Sequence, residues 1–102
     1  MRLKTGTSED LDRVIHERAR LSIVAALASA EALSFAELRG ITGLTDGNLS
    51  VQLRTLETAG YVAIRKSAGL RPRMEVRLAA AGKRAFKSYL GVLERILGRW
   101  RR

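Results

Sequence analysis

The chain has 102 residues, which is enough for one domain with a single hydrophobic core. Hydrophobic residues make up 46% of the sequence and charged residues 28%, so it resembles folded globular chains and not disordered ones. Because there is no cysteine and only one histidine, His16, the sequence offers no disulfide, thiolate nucleophile or zinc-thiolate site. We therefore expect no metal, no cofactor and no enzymatic activity.

No apolar run approaches the ~18 residues that indicate a membrane span. The opening residues "MRLKTGTSED" also lack the apolar stretch of a secretory signal. We therefore expect a cytoplasmic protein that does not span the membrane.

Positive charge is concentrated towards the end of the chain. Residues 1–64 carry a net charge of −1, whereas residues 65–102 carry +10. Such a cluster in a small domain favours a polyanionic partner. Nucleic acid is the leading candidate and an anionic membrane surface the second, while simple solubility is the alternative without a partner.

The first half of the chain predicts two helices. The first covers residues 9–30, with Ser8 as its N-cap and with apolar residues at steps of three and four. The second is short, is capped by Ser34 with Glu37 as the capping-box partner, and ends at Gly40 or Gly43. The apolar positions of the first helix are Leu11, Val14, Ile15, Leu21, Val24, Ala25 and Ala28.

A third helix and a hairpin follow. The helix covers residues 46–59, begins at Thr45 or Asp46, and ends before Gly60, which suits a left-handed C-cap. The segments "YVAIRK" and "MEVRLA" alternate apolar and polar residues, which predicts two strands around the loop "SAGLRPR". A helical period then returns from about residue 80 and continues to the end.

This order predicts a mainly α (α+β) fold, a winged helix-turn-helix with a two-stranded β-hairpin wing. We expect one DNA-binding domain over residues 1–102, with the core helices and wing in 8–79 and a C-terminal dimerisation helix in 80–102.

The outer face of the third helix is unusual for a merely solvated surface, since it has small or hydrogen-bonding residues where Glu and Lys are common. Asn48 and Gln52 have side chains that can pair with adenine, Arg54 suits guanine or phosphate, and Val51 suits a thymine methyl group. The alternative is a tolerated polar surface. The predicted DNA-reading residues are Thr45, Asp46, Gly47, Asn48, Ser50, Val51, Gln52, Arg54 and Thr55.

The hairpin predicts a second DNA contact, since a rigid basic tip suits phosphates or the minor groove. Pro72 stiffens the loop, and the predicted contacts are Arg65, Lys66, Arg71 and Arg73.

The last helix carries an apolar stripe longer than one small domain can cover, because about 20 helical residues span about 30 Å. We expect a second copy of the chain to bury its far end, with packing against the first helix of the same chain as the alternative. The predicted dimer contacts are Leu11, Val14, Ile15, Tyr89, Leu90, Leu93, Ile96, Leu97 and Trp100.

Several stretches together resemble one known family. "HERARL", "LSFAEL", "LTDGNLS", "LETAGYV" and the hairpin "KSAGLRPRMEVRLAAAG" are similar to the small winged-helix regulators of the MarR and ArsR classes. The resemblance covers residues 10–97 and implies a transcription factor that binds DNA as a homodimer. The cysteine and histidine clusters of metal-sensing relatives are missing, so metal sensing is not implied.

The sequence therefore predicts a homodimeric transcriptional regulator that binds specific sites in double-stranded DNA and acts as a repressor. The alternative is a winged-helix module that binds proteins without specific DNA binding, since fold alone does not fix function. His16 is interpreted as a packing or interface residue, and whether a small-molecule effector exists stays open.

Overall fold

The computed structural model describes residues 11–101 and shows four helices with a small antiparallel sheet. The sheet order is β1-β3-β2. This architecture confirms the predicted winged helix-turn-helix, its hairpin wing and its long C-terminal helix. The elements are α1 (Arg18–Ala28), β1 (Leu33–Ser34), α2 (Phe35–Thr42), α3 (Asp46–Thr58), β2 (Val62–Lys66), β3 (Met74–Leu78) and α4 (Ala80–Arg101).

The predicted start of the first helix is wrong. Residues 11–17 form turns, because the Asp12 carboxylate accepts hydrogen bonds from the backbone N–H groups of Val14 (2.8 Å) and Ile15 (3.1 Å). The helix begins only after Glu17, which is its N-cap and whose side chain accepts from the Arg20 N–H at 2.9 Å. The predicted cap, Ser8, lies outside the described residues.

The predicted apolar stripe of this helix is wrong in its second half. Ala25 and Ala28 are exposed. Because the chain turns before α1, the helical phase does not continue from Leu11, and a different side of α1 meets the core. The buried residues of α1 are Ala19, Ile23, Val24, Ala26 and Leu27.

The capping box of α2 is confirmed. The Ser34 hydroxyl accepts from the Glu37 N–H at 3.0 Å, and the Glu37 carboxylate accepts from the Ser34 N–H at 2.8 Å. The hydrogen bond from the Ser34 backbone, followed by that from its hydroxyl, lowers the pKa of Glu37 from 4.5. The capping contribution is therefore present at neutral pH and is lost as the pH falls through the lowered pKa. The helix ends at Gly43, whose φ of +73° suits glycine.

Both ends of α3 follow the prediction. Thr45 is the N-cap and its hydroxyl accepts from the Asn48 N–H at 3.1 Å. At the other end Gly60 adopts a φ of +81°, and the N–H of Tyr61 reaches back to the Leu56 carbonyl at 2.9 Å, which is a Schellman ending. These caps fix the length and direction of the helix that carries most of the candidate site.

The hairpin of β2 and β3 is built as predicted, with Ile64 opposite Val76 in the register. Its loop is closed by hydrogen bonds from the Ser67 N–H to the Arg73 carbonyl (2.8 Å) and from the Arg73 N–H to the Ser67 hydroxyl (3.0 Å). The short strand β1, which the sequence analysis did not predict, pairs with the other edge of β3 and places Leu33 opposite Val76. The wing is therefore anchored to the start of α2.

Two hydrophobic clusters hold the molecule together. The larger one joins α1, α2, α3 and the sheet, and the smaller one joins the turn at residues 11–15 to α4. The larger cluster contains Ile23, Val24, Ala26, Leu27, Leu38, Leu49, Leu53, Leu56, Val62, Val76 and Leu78. The buried members of the smaller one are Leu11, Ile15, Tyr89 and Val92.

The start of α4 packs directly on the backbone at Tyr61, and this contact requires glycine at position 82. A methyl group on Gly82 would lie 2.1 Å from the Tyr61 carbonyl oxygen and 3.1 Å from a Leu78 methyl. Because the carbonyl belongs to the backbone, we expect Gly82→Ala to lower the free energy of unfolding by about 1–3 kcal/mol, as measured by urea denaturation.

The matched control for this prediction is Gly91→Ala in the same helix. There the added methyl group would meet only the Arg95 guanidinium at 3.7 Å. We expect this variant to be unchanged or stabilised by up to about 1 kcal/mol. Equal effects of the two substitutions would contradict the close approach at Gly82.

Tyr61 also ties the N-terminal turn to the end of α3. Its hydroxyl donates to the Asp12 carboxylate at 2.6 Å, and this bond together with partial burial raises the pKa of Tyr61 to about 12. Since the pKa in the folded state lies above the ordinary value of 10.0, the contribution to stability is complete below that pH and is lost as the pH rises towards 12.

We therefore expect Tyr61→Phe to lower the free energy of unfolding by about 1–2 kcal/mol at neutral pH. The difference between parent and variant, measured by urea denaturation at a series of pH values, should shrink above pH 10. A difference that stays constant through that range would show that the Tyr61 hydroxyl contributes nothing through Asp12.

Candidate nucleic-acid interface

The outward face of α3 is accessible to solvent. Asn48 and Arg54 are exposed, and Val51 keeps 58% of its surface in contact with solvent. Val51 therefore offers an apolar contact between polar neighbours. Of the other predicted DNA-reading residues, Thr45, Asp46, Gly47 and Ser50 are exposed, and Gln52 and Thr55 are half-buried.

A chain of hydrogen bonds crosses the beginning of α3. Gln52 donates through Nε2 to Asn48 Oδ1 at 3.0 Å, and Arg20 of α1 donates through Nη1 to Gln52 Oε1 at 2.7 Å. Arg20 also donates through Nε to the Val14 carbonyl at 2.6 Å. Two predicted DNA-reading side chains are thus held in place by an arginine that the sequence analysis did not single out.

A surface ion pair links the two helices of the helix-turn-helix. Arg39 of α2 contacts the carboxylate of Asp46 at 2.8 Å, and both side chains are largely exposed. Exposed pairs contribute only about 0–1 kcal/mol, so its main effect is on the direction of Asp46. The predicted DNA-reading residue Asp46 is therefore turned towards Arg39 in the free protein.

The wing presents its basic residues in two groups. Arg65 and Arg77 lie on either side of Glu75, at 3.6 and 3.5 Å, on the two strands of the hairpin. Arg71 and Arg73 belong to the exposed loop, with the fully exposed Leu70 beside them. The positive charge of the tip is therefore directed outward, whereas the charge of Arg65 is partly compensated.

A groove of about 400 Å³ separates α3 from the wing. Ser50 and Arg54 line one side of it, and Lys66 and Met74 line the other. The helix face and the hairpin therefore border one continuous surface, with the positive charge of Arg54 on one side of the groove and that of Lys66 on the other. That arrangement suits a polyanion with a regular backbone.

The predicted dimer residues fall into three groups. Leu11, Ile15 and Tyr89 are buried within the chain itself, so they have little surface left for a second copy, while Val14, Leu93 and Ile96 are half-buried. The other three are exposed, and they lie along one side of α4 from its middle to its end. Their exposed fractions are 46% for Leu90, 41% for Leu97 and 83% for Trp100.

His16 lies at the edge of the smaller cluster. Its Nδ1 atom is 2.9 Å from the Tyr89 hydroxyl, and the two rings are tilted against each other with centroids 5.8 Å apart. His16 itself is exposed, whereas its partner Tyr89 is buried. In the described part of the chain, no group of His, Asp or Glu is dense enough to hold a metal ion.

The fold and the exposed helix define the class of the protein. Residues 19–97 match the winged helix DNA-binding domain family, and the chain belongs to that family. It is a DNA-binding transcriptional regulator, and its fold is similar to that of regulators assigned to the MarR family. None of the helices within residues 11–101 has the length and apolar character needed to cross a membrane.

Three relatives place it more closely. A transcriptional regulator homologue from Pyrococcus horikoshii OT3 superposes with a TM-score of 0.83 at 27% identity, covering 87% of this chain and 89% of its own. A protein of Enterococcus faecalis V583 assigned to the MarR family gives 0.72 at 26% identity, covering 79% and 74%. The uncharacterized protein MJ0432 of Methanocaldococcus jannaschii is 32% identical over 80 residues, which are 76% of this chain and 86% of the relative.

Proposed function

We propose that the protein is a cytoplasmic homodimeric repressor that binds a specific double-stranded DNA site and occludes a promoter. In this proposal α3 enters the major groove, and the wing contacts phosphates and the adjacent minor groove. The observation that carries it is the continuous surface formed by the exposed face of α3 and the basic wing across one groove.

The chemistry of this surface supports sequence reading. The exposed residues of α3 combine an amide at Asn48, an apolar contact at Val51 and a guanidinium at Arg54, which are side-chain types that distinguish base edges. The basic residues of the wing contribute affinity that does not depend on sequence.

The exposed stripe on α4 supports the homodimer. Leu90, Leu97 and Trp100 keep a large exposed fraction within residues 11–101, and a second copy of the same helix is the simplest apolar partner. A two-fold axis through this contact would present two copies of α3 to successive major grooves, about 34 Å apart.

The proposal is tested by selecting bound sites from random DNA with the purified protein. We expect enrichment of one pseudo-palindromic sequence with affinity in the range of about 10⁻⁸ to 10⁻⁶ M, falling steeply with salt. Binding that shows no sequence preference at any salt concentration would overturn the specific regulator and favour the protein-interaction module.

A variant of the wing separates its role from that of the helix. Arg71→Ala with Arg73→Ala should weaken binding to selected and unrelated DNA by similar factors, because phosphate contacts carry no sequence information. The slope of log affinity against log salt should fall by about 1 for each lost phosphate contact. An unchanged slope in titrations followed by fluorescence anisotropy would show that the wing tip does not touch DNA.

A further inference from the structure

Building on the proposed role of α3, we infer that Arg20 is a specificity-determining residue that acts through Gln52 and fixes which atoms of Asn48 face the DNA. The starting observation is the relay from Arg20 to Gln52 to Asn48, with donor–acceptor distances of 2.7 and 3.0 Å. Arg20 itself belongs to α1 and lies outside the face of α3.

The direction of this relay is dictated by arginine chemistry. A guanidinium has donors and no acceptor, so the atom of Gln52 that faces it must be the carbonyl oxygen. The Gln52 amino group then points to Asn48 and can only donate, so it must face the Asn48 carbonyl oxygen. The Asn48 amino group is therefore turned away from Gln52, towards the exposed side of the helix.

Arg20 is well placed to hold this arrangement. Its side chain is only 19% exposed, it is anchored by the bond from Nε to the Val14 carbonyl, and Glu17 lies 4.0 Å away. Ordering Gln52 in advance reduces the entropy that DNA binding would otherwise cost. Because its carbonyl oxygen is committed to Arg20, Gln52 orients Asn48 and does not pair with adenine itself.

The arrangement specifies a class of base. An outward amino group donates to the major-groove acceptors, which are the keto oxygens of guanine and thymine and the N7 atom of either purine, whereas an outward carbonyl oxygen would accept only from the amino groups of adenine and cytosine. Because cytosine offers an amino group and no acceptor, and adenine offers N7 beside an amino group, the protein should prefer a keto base at the position that Asn48 contacts.

The decisive variant is Gln52→Glu. A carboxylate keeps the contact with Arg20 but can only accept, so the Asn48 amide must turn over and direct its oxygen outward. Selection from random DNA should then show the preferred base at one position per half-site changing from keto to amino. The ratio of the affinities for the two kinds of base should change by about 10-fold. An unchanged preference would overturn the inference.

Arg20→Met tests whether the Arg20 guanidinium fixes the orientation of the Gln52 and Asn48 amides. Without the guanidinium both amides can take either orientation, so discrimination at that position should disappear while the rest of the selected site is retained. Arg18→Met is the matched control, because it removes the same charge from an exposed position of the same helix. If Arg20 merely bound phosphate, Arg20→Met would weaken all sequences equally and leave the preference intact, which would contradict the inference.

A second readout does not depend on DNA. The chain has one asparagine and one glutamine, so the side-chain amide region of a ¹⁵N NMR spectrum holds only the Asn48 and Gln52 pairs. Arg20→Met should shift the Gln52 pair and Gln52→Glu the Asn48 pair, while Arg18→Met shifts neither. Unmoved pairs would refute the relay, whereas shifted pairs without any selected DNA site would show that the proposed function has failed and the relay has not. Thermal melts establish that each variant is folded.

Discussion

Replacing Asn48 and Arg54 together by alanine should lower the affinity for the selected duplex by about 100-fold or more. Each well-placed contact to a base edge discriminates by about 1–3 kcal/mol, and a dimer loses each contact twice. Because both side chains are exposed in the free protein, thermal stability should change little. Fluorescence anisotropy with the selected duplex and with an unrelated one of equal length measures the effect.

The matched control is Arg84→Ala, which removes one positive charge from an exposed position on α4. This variant reports the loss of affinity caused by net charge alone. If the doubly substituted protein bound within about 3-fold of Arg84→Ala, which is under 1 kcal/mol, α3 would not be the reading helix. An unchanged DNA affinity with an intact dimer would favour the protein-interaction module.

The second large effect is expected at the far end of α4. Leu97→Glu combined with Trp100→Ala should convert the dimer to single chains of 11.3 kDa, because a buried charge without a partner is costly and the largest exposed apolar side chain is lost. Sedimentation equilibrium measures the mass. Affinity for the full site should fall with it, since one chain contacts one half-site.

Ser88→Glu is the control for this variant. It gives the same change in net charge at an exposed position on the opposite side of α4 from Leu90. It should leave the dimer intact and reduce DNA affinity only slightly. A dimer that survives the substitutions at Leu97 and Trp100 would mean that another surface joins the two copies.

The parts of the fold with local signals were predictable from the sequence. The capping box at Ser34 and Glu37, the Thr45 cap and the Gly60 ending depend on residues a few positions apart, and each is confirmed. The strands of the hairpin followed from alternation. For the same reason the sequence could predict which residues of α3 lie opposite its buried leucines.

The predictions from sequence failed where contacts between residues far apart in the chain determine the local structure. The chain turns at Asp12 because its carboxylate accepts both local N–H groups and the hydroxyl of Tyr61, 49 positions away, and no local pattern reveals that contact. The two-residue strand β1 exists only because β3 offers it an edge. The role of Arg20 depends on a partner 32 residues further along the chain.

The apolar stripe on α4 shows a different limit of prediction from the sequence. Periodicity predicted an apolar stripe longer than one small domain can cover, but not which surface covers each of its residues. Tyr89 is buried by the turn of its own chain, whereas Trp100 is left exposed at the far end. The boundary between the intramolecular contact and the proposed dimer contact therefore becomes visible only in the structure.

If two copies of this chain read one DNA site, the mass of the complex on the selected duplex must show it. Native mass spectrometry should find two chains per duplex, on a site whose half-sites are centred about 10 base pairs apart. A single chain on an asymmetric site, or a stoichiometry that rises with duplex length irrespective of sequence, would contradict the account.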